Sequence, residues 1–255
     1  MQKTLSILLL LALGAYAAAC FALFLLQRSL IYFPPSQAAI QATKVTTLTI
    51  PGALVKVSER PRTGSKALIY LGGNAEDVNF SLPQLDAAFP DHALYLLHYR
   101  GYSGSSGKPT EAALMDDALL LFDRVAAAHS EIVLIGRSLG TGIAVQVASR
   151  RQLHKLVLVT PYDSLASLAA GQFPYFPVRW LLRDRYDSVR YAPQITAPTL
   201  IVAAEHDEVI PAHSTARLLA HFAKGVATHK VIAGTGHNTV SDSPAYTQAL
   251  AWARD

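Results

Sequence analysis

The sequence predicts an α/β protein with a mostly parallel sheet and helices on both faces, preceded by a helix that can span a membrane. Three observations carry this. Short aliphatic or β-branched runs alternate with longer amphipathic stretches, so strands and helices take turns along the chain. Several of the short runs are unbroken by polar residues, as expected of strands buried on both faces. Residues 5–26 carry no charge, and as a helix they would extend about 33 Å, enough for a bilayer's hydrocarbon core.

The N-terminal stretch comes first. In hydrocarbon only a helix of this kind satisfies its own backbone hydrogen bonds. A cleaved signal peptide would have a shorter apolar core followed by a small-residue site. Ala17-Ala18-Ala19-Cys20 offers small residues and a lipoprotein-like cysteine, yet the apolar run continues through residues 21–26. An uncleaved single-pass anchor over residues 1–29 is therefore expected. Lys3 precedes the span and Arg28 and Lys44 follow it, so the positive-inside rule tips only slightly toward an inside N terminus.

Residues 30–255 have the length of one α/β domain. Strands are expected at 45–50, 54–57, 67–71, 93–97, 132–135, 156–159, 199–203 and 228–232. Helices are expected at 114–128, 141–150, 211–221 and 244–254. Residues 161–198 show no strand pattern but contain Phe173-Pro174-Tyr175-Phe176-Pro177 and Trp180-Leu181-Leu182. A structureless loop of that length is unusual in a compact domain, so a small helical cap is expected there.

Composition narrows the function classes. Apolar residues make up 51% of the chain and charged ones 16%, which excludes a disordered chain. Lys and Arg outnumber Asp and Glu by 22 to 18, but they are scattered, so no nucleic-acid partner is expected. The single Cys20 permits no intrachain disulfide, and no His/Cys spacing asks for a metal.

Candidate chemistry sits just after strands, where open α/β sheets bind ligands. The run 132–135 leads into Gly136-Arg137-Ser138-Leu139-Gly140 and then a helix. This is G-x-S-x-G in a strand–turn–helix setting, a sharp turn that lifts a serine hydroxyl clear of the backbone. Serine alone is a weak nucleophile and needs a base oriented by a third group. Downstream, and in the required order, Asp207 follows the strand 199–203 and His237 follows the strand 228–232 in a Gly-rich turn. Glu205 and Glu208 are nearby alternatives for the acid, and Asp163, after an earlier strand, is the rival elsewhere. An oxyanion hole needs the amide after the nucleophile, Leu139, and a second beyond an earlier strand. Gly72-Gly73-Asn74-Ala75 follows the strand 67–71, which nominates the Asn74 amide. Arg100 either binds a substrate anion or fixes the loop beside the sheet, and Asn238 is expected to support the His237 turn.

These residues together resemble the α/β-hydrolase superfamily, and more narrowly the membrane-anchored serine hydrolases of the Bem46 and ABHD17/ABHD13 type. The likeness includes Leu30-Ile31-Tyr32-Phe33-Pro34, Gly73-Asn74-Ala75, the stretch from Tyr99-Arg100-Gly101-Tyr102 to Pro109-Thr110-Glu111, Gly136 through Gly140, Thr160-Pro161-Tyr162-Asp163-Ser164, Asp207 through Pro211, and Gly236-His237-Asn238. The chain departs from the family pattern at Gly72, where His is usual, at His98, where Asp is usual, and at Ser103, where Gly is usual. The resemblance implies an eight-stranded sheet and hydrolysis of an ester or thioester without a cofactor. A small-molecule or lipid acyl substrate is the expected partner. A peptidase or a cofactor-free perhydrolase would use the same constellation. A membrane-tethered binding protein without catalysis is the alternative from another class.

Overall fold

In the computed structural model, which describes residues 2–36 and 44–254, the uncharged Leu- and Ala-rich N-terminal run is one continuous helix, α1 (Gln2–Ile31). Such residues lose little freedom in a helix, and α1 is long and apolar enough to cross a membrane. The strands that follow are β1 (Lys44–Ile50), β2 (Ala53–Arg60), β3 (Lys66–Leu71), β4 (Ala93–Leu97), β5 (Glu131–Arg137), β6 (Lys155–Val159), β7 (Thr199–Ala204) and β8 (Ala227–Ile232). They form one eight-stranded sheet in the order β1-β2-β4-β3-β5-β6-β7-β8. Only β2 runs antiparallel to its neighbours β1 and β4, and every other pairing is parallel.

Alternating side chains of the central strands feed two cores. Ala67, Ile69 and Leu71 point to the face covered by α3 (Glu111–Ala126), α4 (Leu139–Ala148) and α8 (Ala212–Leu219), while Leu68 and Tyr70 point to the other. That second face is covered by α2 (Leu82–Ala88) and α9 (Pro244–Ala251). The central strands are buried on both faces, which is why they read as unbroken apolar runs. Between β6 and β7 lie α5 (Leu165–Gln172), α6 (Val178–Leu181) and α7 (Ser188–Tyr191).

The differences from the sequence expectation have local causes. Helix α2 spans seven residues with a proline in its first turn, too short to show a helical period. Helix α3 starts at Glu111 rather than 114 because Thr110 caps it, its side chain accepting the Ala113 N–H. Helix α4 begins directly after Ser138, two residues earlier than expected. Strand β2 runs on through polar Ser58, Glu59 and Arg60, because it pairs there with β4 and the Ser58 hydroxyl donates to Asn79 at 2.6 Å.

Candidate active site

The motif glycines explain why the chain turns where it does. A Cβ on Gly140 would lie 2.1 Å from the Leu71 carbonyl oxygen, and one on Gly136 would lie 2.6 Å from the Gly140 carbonyl oxygen. Without side chains at both, α4 packs directly on β3 and β5. Ser138, between them, is forced to φ 47°, ψ −115°, a conformation that L residues avoid and that costs roughly 1–3 kcal/mol. The strain presents its hydroxyl at the carboxyl edge of the sheet.

Three loops bring partners to that edge. The His237 Nε2 lies 2.9 Å from the Ser138 Oγ, and its Nδ1 lies 3.0 Å from both carboxylate oxygens of Asp207. A carboxylate only accepts, so Nδ1 carries the proton and Nε2 is left to accept from the serine. Both side chains are more than nine-tenths buried. Burial pushes the Asp207 carboxyl up, but hydrogen bonds from His237 and from the Ile210 and Val209 amides outweigh it and hold the group below its ordinary value. Asp207 is thus an anion wherever the protein is folded near neutral pH.

The other acids do different work. Glu208 accepts the His237 N–H at 3.0 Å, and Glu205 accepts the Gly234 N–H at 2.8 Å, so both pin the histidine loop. Asp163 stands apart, accepting from the Ser214 hydroxyl at 2.8 Å and pairing with Arg217 at 3.4 Å. Arg100 grips Asp117 through two hydrogen bonds of 2.8 and 2.7 Å, which makes it a brace for its loop. Asn238 offers its carbonyl to Arg137 at 3.3 Å.

Leu139 opens α4, and the first N–H groups of a helix have no intrahelical acceptor. The loop after β3 lies against the same spot, since a Cβ on Gly73 would be 3.6 Å from the Ser138 Cβ. Asn74 is fixed by its side chain: its Nδ2 donates to the Ile31 carbonyl at 2.7 Å, and its Oδ1 accepts from the Phe33 N–H and the Tyr102 hydroxyl. Sequence reasoning missed Glu76. It accepts the Gly73 N–H at 2.6 Å and the hydroxyls of Tyr70 and Ser81, and faces Arg137 at 3.8 Å. It therefore ties the loop after β3 to the residue before Ser138. A single sequence holds no signal for that role. Among the described residues no group of three His, Cys, Asp or Glu side chains is arranged to hold a metal ion.

Known proteins share this frame. No family model matches the chain. An uncharacterised protein of Mycobacterium tuberculosis is 32% identical over 234 residues, covering 83% of this chain and 80% of the relative. The lysophosphatidylserine lipase ABHD12 of Xenopus tropicalis is 30% identical over 198 residues, covering 66% of this chain and 50% of that protein. Protein bem46 of Schizosaccharomyces pombe is 25% identical over 180 residues, covering 64% and 58%. Among solved structures, MGS-M2, an α/β-hydrolase enzyme from a deep-sea metagenome library, superposes with a TM-score of 0.68 at 17% identity, covering 82% of this chain and 96% of that one. Fold and relatives together support hydrolase activity. The chain belongs to the α/β hydrolases, in their ABHD- and Bem46-like branch.

Proposed function

We propose that the protein is a serine hydrolase that cleaves an ester or thioester of an acyl substrate at a membrane, through an acyl-enzyme on Ser138. The observation that carries this is the unbroken hydrogen-bond chain from Ser138 through His237 to Asp207. His237 takes the hydroxyl proton as Ser138 attacks the acyl carbonyl, and Asp207 fixes the imidazole's tautomer and stabilises the imidazolium that forms. The backbone amides of Leu139 and Asn74 donate to the oxyanion, the place where preorganised dipoles contribute most. The imidazolium then protonates the leaving group, and a water activated by the same imidazole releases the acid. Residues 1–29 serve as the anchor, residues 30–255 as the catalytic domain and residues 161–198 as its cap. A lipid acyl substrate is supported by the apolar helix α1 and by the lipase among the relatives.

A fluorophosphonate probe tests the reading directly. The wild type is expected to label, and Ser138→Ala to lose both labelling and roughly 10⁴- to 10⁶-fold of its p-nitrophenyl ester turnover. Turnover within tenfold of wild type in the Ser138→Ala protein would reject the assignment.

A further inference from the structure

We infer that α1 is a working part of the substrate site as well as a tether: its last turns form one wall of a cavity for a single unbranched acyl chain, which enters from the bilayer. The inference rests on the serine-hydrolase reading for what happens to the chain, though not for where it binds. A cavity of about 620 Å³ lies between α1 and the helices that follow β6, within the size range of small-molecule sites. Leu23, Leu30 and Ile31 of α1 line one side, and Leu165, Leu168 and Phe173 line the facing side. Asn74 also lines it, and the neighbouring Gly73 lies against Ser138. The Asn74 side chain is bonded to Ile31 and Phe33 at the end of α1. Wall and oxyanion loop are therefore one fixed unit.

The seam that builds this wall is specific along its length. Gln27 is buried, donates to the Leu181 carbonyl and accepts the Arg183 N–H at 2.7 Å. The Arg183 guanidinium stacks on Phe24, 4.3 Å from the ring centre. Further up, the Tyr16 hydroxyl donates to the Tyr175 carbonyl and its ring stacks on Phe176. Tyr16 lies about 18 Å along the helix from Arg28 at 1.5 Å per residue. The tip of the segment after α5 therefore runs beside the uncharged part of α1. Tyr175 and Trp180 on it are 85% and 90% exposed, as suits aromatic rings at a lipid interface. Phe173 and Phe176 of the same segment line the cavity together with Leu23 of α1, so the cavity adjoins the uncharged part of α1, where an apolar chain would already reside. An acyl chain is the occupant that matches a wall built partly by apolar residues of α1 and a lining that includes Asn74 of the proposed oxyanion loop.

The test uses the full-length protein in phosphatidylcholine nanodiscs and a fatty acid carrying a diazirine in its chain. Photolysis is expected to label peptides covering residues 23–31 and 165–182. Leu23→Trp, which fills the wall, should cut that labelling about tenfold. Leu30→Trp, at a half-exposed position that costs the fold little, should cut it severalfold. The same variants should lower the ratio of p-nitrophenyl decanoate to acetate hydrolysis about tenfold. Label confined to residues 5–13, or undiminished by either variant, would overturn the inference even if acetate is still hydrolysed. Labelling at the wall in a protein that hydrolyses no ester and ignores fluorophosphonate would keep the acyl site and overturn the hydrolase reading instead.

Discussion

The turn that carries Ser138 and the seam where α1 meets the helices after β6 are held by opposite means. At the turn, backbone meets backbone: Gly136 and Gly140 leave no space for a Cβ, and Ser138 is driven to a positive φ. At the seam, side chains meet across more than 150 positions of sequence, through Gln27 with Leu181 and Arg183, and Arg28 and Tyr32 with Asp184. Backbone contacts of the first kind admit almost no substitution. Side-chain contacts of the second kind admit many, and each is worth a modest amount. Under the proposed function, this pairs a rigid nucleophile with an adjustable wall for the substrate.

The largest expected effect breaks the first of the two. Gly140→Ala places a methyl 2.1 Å from a backbone oxygen of β3, and neither partner is a flexible side chain. Destabilisation of about 3 kcal/mol or more is expected from such overpacking, which for a domain of this size lowers the melting temperature by roughly 10 °C. Fluorophosphonate labelling should fall with it. A melting temperature within 2 °C of wild type would mean that α4 does not sit on β3 as described.

This contrast also explains what the sequence could be read for. The G-x-S-x-G turn was legible because its requirements are local, two glycines and a serine between a strand and a helix. The order of Asp207 and His237 was legible because each follows an apolar run at the same sheet edge. Glu76 and Glu208 were not, since their roles lie in accepting the N–H groups of Gly73 and His237, and nothing in a glutamate's neighbours announces a backbone acceptor. The seam was illegible for a related reason. Residues 5–26 carry no charge, so the sequence predicts a membrane span and is silent on the contact of α1 with Leu181 and Arg183. Strand β2 was underestimated because Ser58, Glu59 and Arg60 look like a solvated end until β4 is laid beside them.

Of intermediate size is a pH effect in the frame that supports the turn. His98 follows β4 and lies 2.7 Å from the Ser58 hydroxyl of β2. Burial lowers it from 6.5 to about 4, with Asp77 pulling it up and Lys56 pushing it down. Because the folded value is depressed, the unfolded chain binds the extra proton first, so this joint is fully stable above pH 6.5 and weakens as pH falls toward 4. The loss reaches about 2 kcal/mol at pH 5 relative to pH 7.5. His92 is lowered to about 4 as well, so wild type should weaken by more than His98 alone accounts for. His98→Gln should remove only its own share, flattening the fall in melting temperature between pH 7.5 and 5. Parallel pH profiles for the two proteins would show that His98 is not buried neutral.

The smallest effect sharpens the comparison from the seam side. Asp184 is buried, and it accepts from Arg28 Nε at 3.0 Å and from the Tyr32 hydroxyl at 3.1 Å, while Arg28 is 44% exposed. The two halves of this pair are therefore unequal. Asp184→Asn frees a guanidinium that already reaches solvent, and its cost should be about 1 kcal/mol, the value of a hydrogen bond net of water. Arg28→Ala leaves a buried carboxylate that keeps the Tyr32 hydroxyl but has lost its ion-pair partner, so it should cost more, since a less compensated buried charge is the expensive outcome of breaking a pair. The double variant should then lie closer to Asp184→Asn than to the sum of the two. Melting temperatures of the three full-length proteins in one detergent give the cycle. Equal costs for the two single changes would mean that Asp184 is solvated, and that the seam between α1 and the helices after β6 stands open at Arg28.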